Sequence, residues 1–253
     1  MRFAFSDEQD MFRDTVRELF ADRCPPEAVR ASWDNDDGRV PGLWSALAEM
    51  GVLSVLAPED SGGLGMDEVD LVRILEEAGY AGVPDPLMEH AAVVVPALAE
   101  AGATDLLAAA IAGEMTGTIA LGAGGAQVAA AEAADLVVVE QVGALVAARE
   151  VTCTAATSID QSRRLATIDG ILASVPLGGA DVSLAADRAA LGTAAQCVGV
   201  ARRLLDSTVE YVAERHQFGK PVGSYQAVKH HLADVRLGVE FAAPLVYLSL
   251  IHI

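Results

Sequence analysis

The chain has 253 residues, of which 17 are lysine or arginine and 36 are aspartate or glutamate, so its formal net charge is −19. Its isoelectric point is about 4.4. A nucleic-acid surface needs a basic patch, so this charge balance argues against a polyanion-binding protein. The length is enough for one large domain or two small ones.

The sequence also bears on location. The N-terminus has no apolar signal core, and the apolar segment 91–112 is interrupted by carboxylates, which predicts no membrane span. Cys24, Cys153 and Cys197 are far apart and odd in number, a pattern typical of reduced thiols in the cytoplasm. No pair of them has the spacing of zinc ligands. We therefore predict a cytoplasmic protein without a metal site.

Residues 6 to about 112 predict a helical N-terminal domain. Ser6 and Gln9 form a capping box that opens the first helix. The apolar side of this helix is expected to contain Met11, Phe12, Val16, Leu19 and Phe20. Proline, aspartate and glycine mark three more helices, with predicted limits at 41–51, 67–78 and 84–101.

A Gly-Gly-Leu-Gly segment at residues 62–65 separates two of these helices and resembles a phosphate-binding loop. No strand is predicted before it, and no P-loop lysine follows it. The pattern therefore favours a tight connection between helices.

The pattern changes at Thr116, where short β-rich runs begin, separated by Gly, Asp and Gln. The predicted strands are 118–121, 136–140, 144–148, 151–154 and 165–168. From Asp181 the chain is predicted to be helical again. The sequence thus predicts a mostly α protein with a small middle β-domain. The predicted divisions are 1–115, 116–180, 181–247 and a tail, 248–253.

Apolar or small residues at steps of three and four predict two long helices around residues 215–225. The first apolar face consists of Leu191, Ala194, Val198, Ala201, Leu205, Thr208 and Val212. The second consists of Tyr225, Val228, Leu232, Val235, Val239, Ala242 and Val246. Gly219 and Pro221 are expected to stop the first helix, and Ser224 to cap the second. The short connection predicts antiparallel neighbours.

The connecting segment 215–226 carries more ligand-type side chains than a turn needs. Arg215 offers a planar fork of donors that matches a phosphate, and the amides of Gln217 and Gln226 suit a sugar or a diphosphate. Phe218 offers a face for a ring. From spacing alone, these residues fit equally well a solvated turn whose Phe218 belongs to the core.

Two motifs resemble the acyl-CoA dehydrogenase family. Residues 215–226 match Arg-x-Gln-Phe-Gly-x-Pro followed by a Gln five residues after the Pro, with Gly199 and Ala201 upstream and 232–234 downstream. Independently, residues 58–65 resemble the family's Pro-Glu-x-x-Gly-Gly-Leu-Gly loop. The two motifs stand in the family's order and at its separation.

The resemblance implies a helical N-terminal domain, a middle β-domain and a C-terminal helical bundle. It implies FAD-dependent α,β-dehydrogenation of an acyl-CoA thioester, with an external electron acceptor. By position, Arg215, Gln217 and Phe218, with Gln226 beside them, would contact the FAD of a neighbouring subunit. The implied partners are therefore an acyl-CoA substrate and other subunits of an oligomer.

Three departures from the family pattern bear on catalysis. Residues 118–125 start like the family's flavin-binding segment and then continue as Gly and Ala. Asp187 is in place, but Ala190 stands where many members carry an Arg, and Arg188 lies on another face of the helix. The family's catalytic glutamate lies beyond the point where the sequence stops, and Glu240 is expected to be a solvated surface residue.

The last six residues, 248–253, resemble the translation of a transposase adapter used in sequencing libraries. We therefore expect them to be a non-native tail on a truncated natural chain. A genomic stop codon directly after Ile253 would contradict this expectation.

Three functions stay open. The chain is a dehydrogenase subunit of a homo-oligomer with its own base, or a degenerate partner that lends Arg215, Gln217 and Phe218 to FAD held by a competent subunit. The resemblance implies that paired enzymes of the second kind act on bulky steroid-like or unusual acyl-CoA substrates. From another class, it is a helical interaction protein that has lost flavin. The departures at 118–125 and Ala190 favour the paired enzyme, and the intact loop opposes a flavin-free protein.

Other residues with reactive or charged side chains are expected to be structural. The adjacent Glu76 and Glu77 are most simply solvated, and His216 is expected to form a local hydrogen bond. His230 and His231 are neighbours on a helix, so they point to different faces and cannot jointly chelate a metal.

Overall fold

The computed structural model describes residues 4–122 and 127–250. A helical N-terminal region is followed by a β-sheet and then by two long helices, which confirms the predicted mostly α fold with a middle β region. The domain limits at 115, 180 and 247 stay predictions. Of the predicted tail, residues 251–253 lie outside the described residues.

The N-terminal region consists of helices joined by short turns. The helices are α1 Asp7–Arg23, α2 Pro26–Ala31, α3 Leu43–Glu49, α4 Glu68–Ala81, α5 Val95–Glu100 and α6 Thr104–Ile111, with a π-helical turn at Glu89–Val94 before α5. The capping box of α1 is confirmed, because the Ser6 hydroxyl accepts from the Gln9 amide at 3.2 Å and the Gln9 side chain accepts from the Ser6 amide at 2.9 Å. Val16 and Phe20 are buried as predicted, whereas Met11 is 67% exposed.

The sheet contains strands β1 Gly117–Ala120, β2 Gln127–Ala129, β3 Leu136–Gln141, β4 Ala144–Ala156 and β5 Leu165–Pro176. Their order is β1-β3-β4-β5-β2; β1 and β3 are parallel, and the other neighbours are antiparallel. The segments predicted as separate strands at 144–148 and 151–154 form one strand, with register shifts between Ala148 and Cys153. The three-residue β2 was missed because so short a run has no recognisable alternation.

The long helices are α7 Val182–Glu214 and α8 Gln226–Ser249. The carboxylate of Asp181 caps α7 by accepting from the Ser183 amide at 2.7 Å and from the Leu184 amide at 3.1 Å. Along the predicted α7 face, Leu191, Val198 and Leu205 are buried.

The predicted apolar face of α8 is mostly accessible. Val239 and Val246 are buried, whereas Val235 of the same face is 50% exposed. The heptad-like pattern therefore located the helix correctly but overstated how much of its face is covered in this chain.

Glycines bring α4 and α7 into backbone contact. A Cβ at Gly79 would lie 2.1 Å from the Gln196 carbonyl oxygen, and one at Gly199 would lie 1.9 Å from the Glu76 carbonyl oxygen. The prediction that Gly79 follows the end of its helix is therefore wrong. Gly79 lies inside α4 because α7 crosses there, and Gly82, with φ +68°, lies at the end of the helix.

The expectation that Glu76 and Glu77 face solvent is also wrong, since both are buried. Glu77 accepts two hydrogen bonds from Arg17, at 2.6 and 2.9 Å. Glu76 is paired with Arg202 and accepts a hydrogen bond from the Tyr247 hydroxyl. These partners come from α1, α7 and α8, so the buried pair of carboxylates joins four helices.

The three cysteines form no disulfide with one another. Cys24, Cys153 and Cys197 are free thiols, and burial raises the pKa of Cys24 to about 12.

None of the described helices is long and apolar enough to cross a membrane. Within residues 4–122 and 127–250, no three His, Cys, Asp or Glu side chains are grouped to bind a metal ion.

Candidate functional site

The segment between α7 and α8 forms a small β-hairpin. Strands β6 His216–Gln217 and β7 Lys220–Pro221 are antiparallel, and Gln217 faces Lys220 across the turn. The two turn residues, Phe218 and Gly219, have φ +55° and φ +81°. Positive φ at both central residues is the type I′ geometry that suits a two-residue hairpin. Helix α7 therefore ends at Glu214, before Gly219 and Pro221, which were expected to stop it.

Phe218 stands at the tip of this hairpin and is 92% exposed. A bulky L-residue with positive φ is strained by its own Cβ, and Asn or Gly is the usual choice at this position of a type I′ turn. Of the two positions predicted for Phe218, core or ligand-facing, the core position is therefore wrong. Its side chain is not in this chain's core, and a strained backbone presents it to solvent.

Arg215 lies at the base of the hairpin, immediately after α7. Its amide donates to the Tyr211 carbonyl at 2.9 Å, and its guanidinium carbon lies 5.7 Å from the centre of the Tyr211 ring. Among the described residues, no carboxylate lies within 4 Å of this guanidinium. Most arginines of the described residues lie within 4 Å of a carboxylate. Arg215 does not, so its planar donors are available for an anion.

Gln217 and Gln226 lie on either side of the hairpin, and both are exposed. In the part of the chain that the structure describes, neither side-chain amide has a hydrogen-bond partner. Gln226 is the first residue of α8, where Tyr225 is the N-cap residue and supplies no side-chain cap. The predicted cap, Ser224, instead belongs to a 3-10 turn, so that prediction is wrong. The uncapped amides of the first turn of α8 also favour a nearby anion.

His216, another polar residue of the hairpin, forms a local hydrogen bond, as expected. One ring nitrogen of His216, Nδ1, donates to the Glu214 carbonyl at 2.9 Å. The structure thus brings Arg215, Gln217, Phe218 and Gln226 to one exposed end of the α7–α8 pair.

The Gly-rich loop at 62–65 has no amides to spare for a phosphate. Gly63 donates to the Pro58 carbonyl at 2.9 Å, and Gly65 donates to the Ala57 carbonyl at 2.9 Å. A Cβ at Gly63 would lie 2.1 Å from the Ala57 carbonyl oxygen, so only glycine fits there. This geometry supports the interpretation of the loop as a tight connection.

The start of the segment 118–125 is committed to internal contacts. The Thr118 hydroxyl is buried and donates to the Ala129 carbonyl at 2.7 Å. The Gly122 amide donates to a carboxylate oxygen of Glu140 at 2.9 Å. Residues 123–125 of that segment lie outside the described residues.

The structure also shows the surroundings of Asp187 and Ala190 in α7. Asp187 and Ala190 are exposed, whereas Arg188 bridges Glu68 at 2.7 Å and Glu100 at 2.6 Å. Arg188 therefore ties α7 to the N-terminal helices and is not free to replace an arginine at position 190. Glu240 is exposed and pairs with Arg236 at 2.6 Å, as expected for a surface residue.

Sequence and structure comparisons decide the family. The profile of the acyl-CoA dehydrogenase N-terminal domain matches residues 6–117, and that of the C-terminal domain matches residues 179–250. The acyl-CoA dehydrogenase IpdE2 of Mycolicibacterium smegmatis is 36% identical over 97% of this chain and 77% of its own length. This chain belongs to the acyl-CoA dehydrogenase family. The IpdE2 protein of Mycobacterium tuberculosis is 35% identical over 95% of this chain and 74% of its own length.

Solved structures agree with the assignment of an acyl-CoA dehydrogenase fold. A structure described as a Tcur3481-Tcur3483 steroid ACAD variant has a TM-score of 0.87 and 27% identity, covering 97% of this chain and 77% of its own. The ChsE4-ChsE5 complex of Mycobacterium tuberculosis has a TM-score of 0.86 at 24% identity, which shows the fold. The hairpin lies inside the matched C-terminal domain, and residues 118–178 lie between the two matched domains.

Sequence reasoning missed one residue of the site. The apolar pattern assigns Tyr225 only to the face of α8, yet its hydroxyl donates to the Gln217 carbonyl at 3.2 Å and its ring lies under Lys220. An aromatic residue directly before the first helical residue, eight positions after Gln217, was the available signal. The role of this aromatic residue depends on the hairpin geometry, which the local sequence does not predict.

Proposed function

We propose that this chain is a subunit of an FAD-dependent acyl-CoA dehydrogenase and that its hairpin completes an FAD site in a neighbouring subunit. The oxidation of the acyl-CoA thioester to its 2-enoyl form would be supplied by the bound FAD. The part played by this chain is to bind and orient. Arg215 would hold the diphosphate, Gln217 and Gln226 would bond polar groups of the cofactor, and Phe218 would pack on it.

The observation that carries this proposal is the exposure of Phe218 on a strained backbone. A residue with φ +55° and 92% exposure gains almost nothing within its own chain. Strain of this kind is common at ligand sites, and at Phe218, unlike the similarly strained Val142 of the β3–β4 turn, it stands beside the guanidinium of Arg215. The donors around it suit FAD, since the Arg215 guanidinium has no carboxylate neighbour within the described part of the chain, and the neighbouring amides are exposed.

We further propose that the neighbouring subunit is a different, competent chain. Two features of this chain support a partner that holds the flavin. The Gly122 amide is already bonded to Glu140, and Arg188 is committed to ion pairs while position 190 is alanine. The similarity to a structure described as a Tcur3481-Tcur3483 steroid ACAD supports a paired assembly and a bulky, steroid-like acyl-CoA substrate.

The role of the hairpin is tested with Arg215→Ala in the natural assembly. Loss of a charge-assisted contact worth about 1.5–3 kcal/mol predicts at least about tenfold weaker FAD binding, measured by equilibrium titration. The matched control is Arg149→Ala, which removes the same charge from an exposed position on β4. Equal flavin affinity in the Arg215 and Arg149 variants would contradict the proposed role.

The nature of the assembly is tested by its visible absorption spectrum. We expect a flavin band when this chain is coexpressed with the product of the adjacent gene, and none when it is purified alone. A flavin band from this chain alone would favour the homo-oligomer with its own site. No flavin in either preparation would favour a helical interaction protein that has lost the cofactor.

A further inference from the structure

The hairpin is too small to hold its own shape. Its strands contain two residues each, and their pairing is limited to His216 with Pro221 and Gln217 with Lys220. An isolated two-stranded hairpin is at best marginally stable in water. Positive φ at Phe218 adds a further cost, so contacts outside the two strands have to stabilise this conformation.

Three contacts stabilise the hairpin, and two of them join it to Tyr225 at the start of α8. At the base, the Val222 amide donates to the Arg215 carbonyl at 2.8 Å, which closes the loop. Nearer the tip, the Tyr225 hydroxyl donates to the Gln217 carbonyl at 3.2 Å. The Lys220 ammonium lies 4.1 Å from the centre of the Tyr225 ring. Tyr225 therefore contacts both strands, one by a hydrogen bond and the other by a cation–π interaction.

These two contacts lie on either side of the strained turn. Gln217 directly precedes Phe218, and Lys220 directly follows Gly219, so Tyr225 holds both ends of the two-residue turn. Tyr225 is itself fixed, because it is the N-cap residue of α8 and its carbonyl accepts from the Lys229 amide at 3.1 Å. The orientation of Phe218 is thus set by a rigid helix end.

We propose that Tyr225 is the positioning residue of the FAD site: it clamps the hairpin so that Gln217 and Phe218 are held in place before the cofactor arrives. This inference rests on the proposed function and adds a residue to it. Tyr225 acts through its neighbours and does not itself touch the cofactor. A preorganised hairpin lowers the cost of ordering Phe218 on binding, and therefore raises affinity without adding a contact.

The test separates the two halves of the clamp in the natural flavin-containing assembly. Tyr225→Phe removes the hydrogen bond and keeps the ring under Lys220, so we expect FAD to bind about three- to tenfold more weakly. Tyr225→Leu removes both contacts and should weaken binding further. The matched control is Tyr80→Phe, the same chemical change at a tyrosine of α4 whose hydroxyl donates to Asp206 at 3.0 Å, outside the hairpin.

A double-mutant cycle distinguishes positioning from general support of the fold. If Tyr225 acts by orienting Phe218, Tyr225→Phe should lower FAD affinity little further once Phe218→Gly has removed the ring. Amide hydrogen exchange at Val222, whose amide donates to the Arg215 carbonyl at the base of the hairpin, should accelerate in Tyr225→Phe, while exchange in the middle of α7 stays unchanged. Full additivity of the two affinity losses would overturn the positioning role.

The outcomes also separate this inference from the function on which it rests. If the wild-type assembly binds FAD and Tyr225→Phe binds it equally well, the clamp is wrong and the proposed function stands. If the wild-type assembly contains no flavin, both are wrong. If Arg215→Ala and Tyr225→Phe both weaken binding while Tyr80→Phe does not, both the clamp and the proposed function hold.

Discussion

The hydroxyl of Tyr247 in α8 donates a 2.5 Å hydrogen bond to Oε2 of Glu76 in α4. The other carboxylate oxygen of Glu76 pairs with Arg202 of α7, so the buried carboxylate is satisfied from two directions. Burial and the bond to Glu76 raise the pKa of Tyr247 above its ordinary value, so its hydroxyl remains a donor. This contact fixes the far end of α8, the helix whose first turn carries the hairpin.

Tyr247→Phe should lower the free energy of unfolding by about 1.5–3 kcal/mol, because it removes a hydrogen bond to a buried charged group. Urea denaturation measures the change. The exposed Tyr211 supplies the matched control, since Tyr211→Phe removes a hydroxyl that lacks a partner among the described residues. Indistinguishable midpoints for the two variants would show that the Tyr247 hydroxyl contributes nothing to the fold.

Gly199→Ala should destabilise the chain by at least about 2 kcal/mol. A Cβ there would lie 1.9 Å from the Glu76 carbonyl oxygen and 2.6 Å from the Tyr80 amide nitrogen, so α4 and α7 would have to separate. The matched control is Gly238→Ala in α8, where a Cβ would meet nothing within 4 Å. That change should stabilise by about 0.5–1 kcal/mol, because alanine is the better helix former.

Thermal unfolding of the two glycine variants tests this pair of opposite signs. A Gly199→Ala variant as stable as wild type would mean that the helices can move apart at little cost. In that case the close crossing of α4 and α7 would not explain the glycines.

Local sequence patterns were sufficient where the structure depends on near neighbours. The capping box at Ser6 and Gln9, the two long helices and the tight loop at 62–65 follow from spacing within one or two turns. Such features need no knowledge of what packs against them. The family resemblance at 215–226 likewise depends on one short stretch of residues.

Sequence patterns failed where distant residues decide the outcome. Glu76 and Glu77 look like a solvated pair until Arg17, Arg202 and Tyr247 converge on them from far along the chain. In the local sequence, Gly79 resembles a glycine that ends a helix. A glycine is needed there because α7, over a hundred residues away in the chain, crosses α4 at that point. The hairpin was missed because type I′ turns favour Asn or Gly at the first central position, where this chain has Phe218. Residue preferences therefore do not predict a turn at this site.

Asp85→Asn should stabilise the chain at neutral pH by about 1–2 kcal/mol. Burial raises the pKa of Asp85 to about 6, and one of its oxygens has no hydrogen-bond partner within the described residues. The folded state therefore holds this proton more tightly than the unfolded state, whose pKa is near 3.8. The charged form costs stability above pH 6, and that cost disappears as pH falls toward 3.8.

The gain from Asp85→Asn should accordingly shrink as pH falls from 7 to 4, when urea denaturation is followed across that range. Asp36→Asn, at an exposed site, is the control and should run parallel to wild type. A constant difference between Asp85→Asn and wild type across this pH range would rule out the buried charge as its source.

His90 should produce the opposite pH dependence. Burial lowers its pKa to about 4, and its ring is held neutral by accepting from the Gly117 amide at 3.0 Å and donating to the Ala110 carbonyl at 3.1 Å. Its folded pKa lies below the ordinary 6.5, so its contribution is complete above pH 6.5 and is lost as pH falls toward 4. In Asp85→Asn this slope is no longer offset, so stability should rise with pH between 4 and 6.5 more steeply than in wild type.

Phe218→Asn should stabilise the fold while weakening FAD binding. Asparagine tolerates positive φ, and Asn-Gly is a preferred pair for a type I′ turn, so removing the strain should gain about 1 kcal/mol. Little packing is lost in this chain, since the ring is 92% exposed. The same change removes the aromatic face proposed to contact FAD. Urea denaturation of this chain and FAD titration of the natural assembly measure the two effects.

Another type I′ hairpin among the described residues supplies a matched control. Val142 and Gly143 join β3 to β4 with φ +51° and +75°, and Val142 is fully exposed. A β-branched residue is still more strained there, so Val142→Asn should stabilise at least as much as Phe218→Asn. It should leave FAD affinity unchanged, because no part of the proposed site lies at that turn. If both substitutions stabilise and only Phe218→Asn loses flavin, the strain at Phe218 is retained for binding; if neither loses flavin, its exposure needs another explanation.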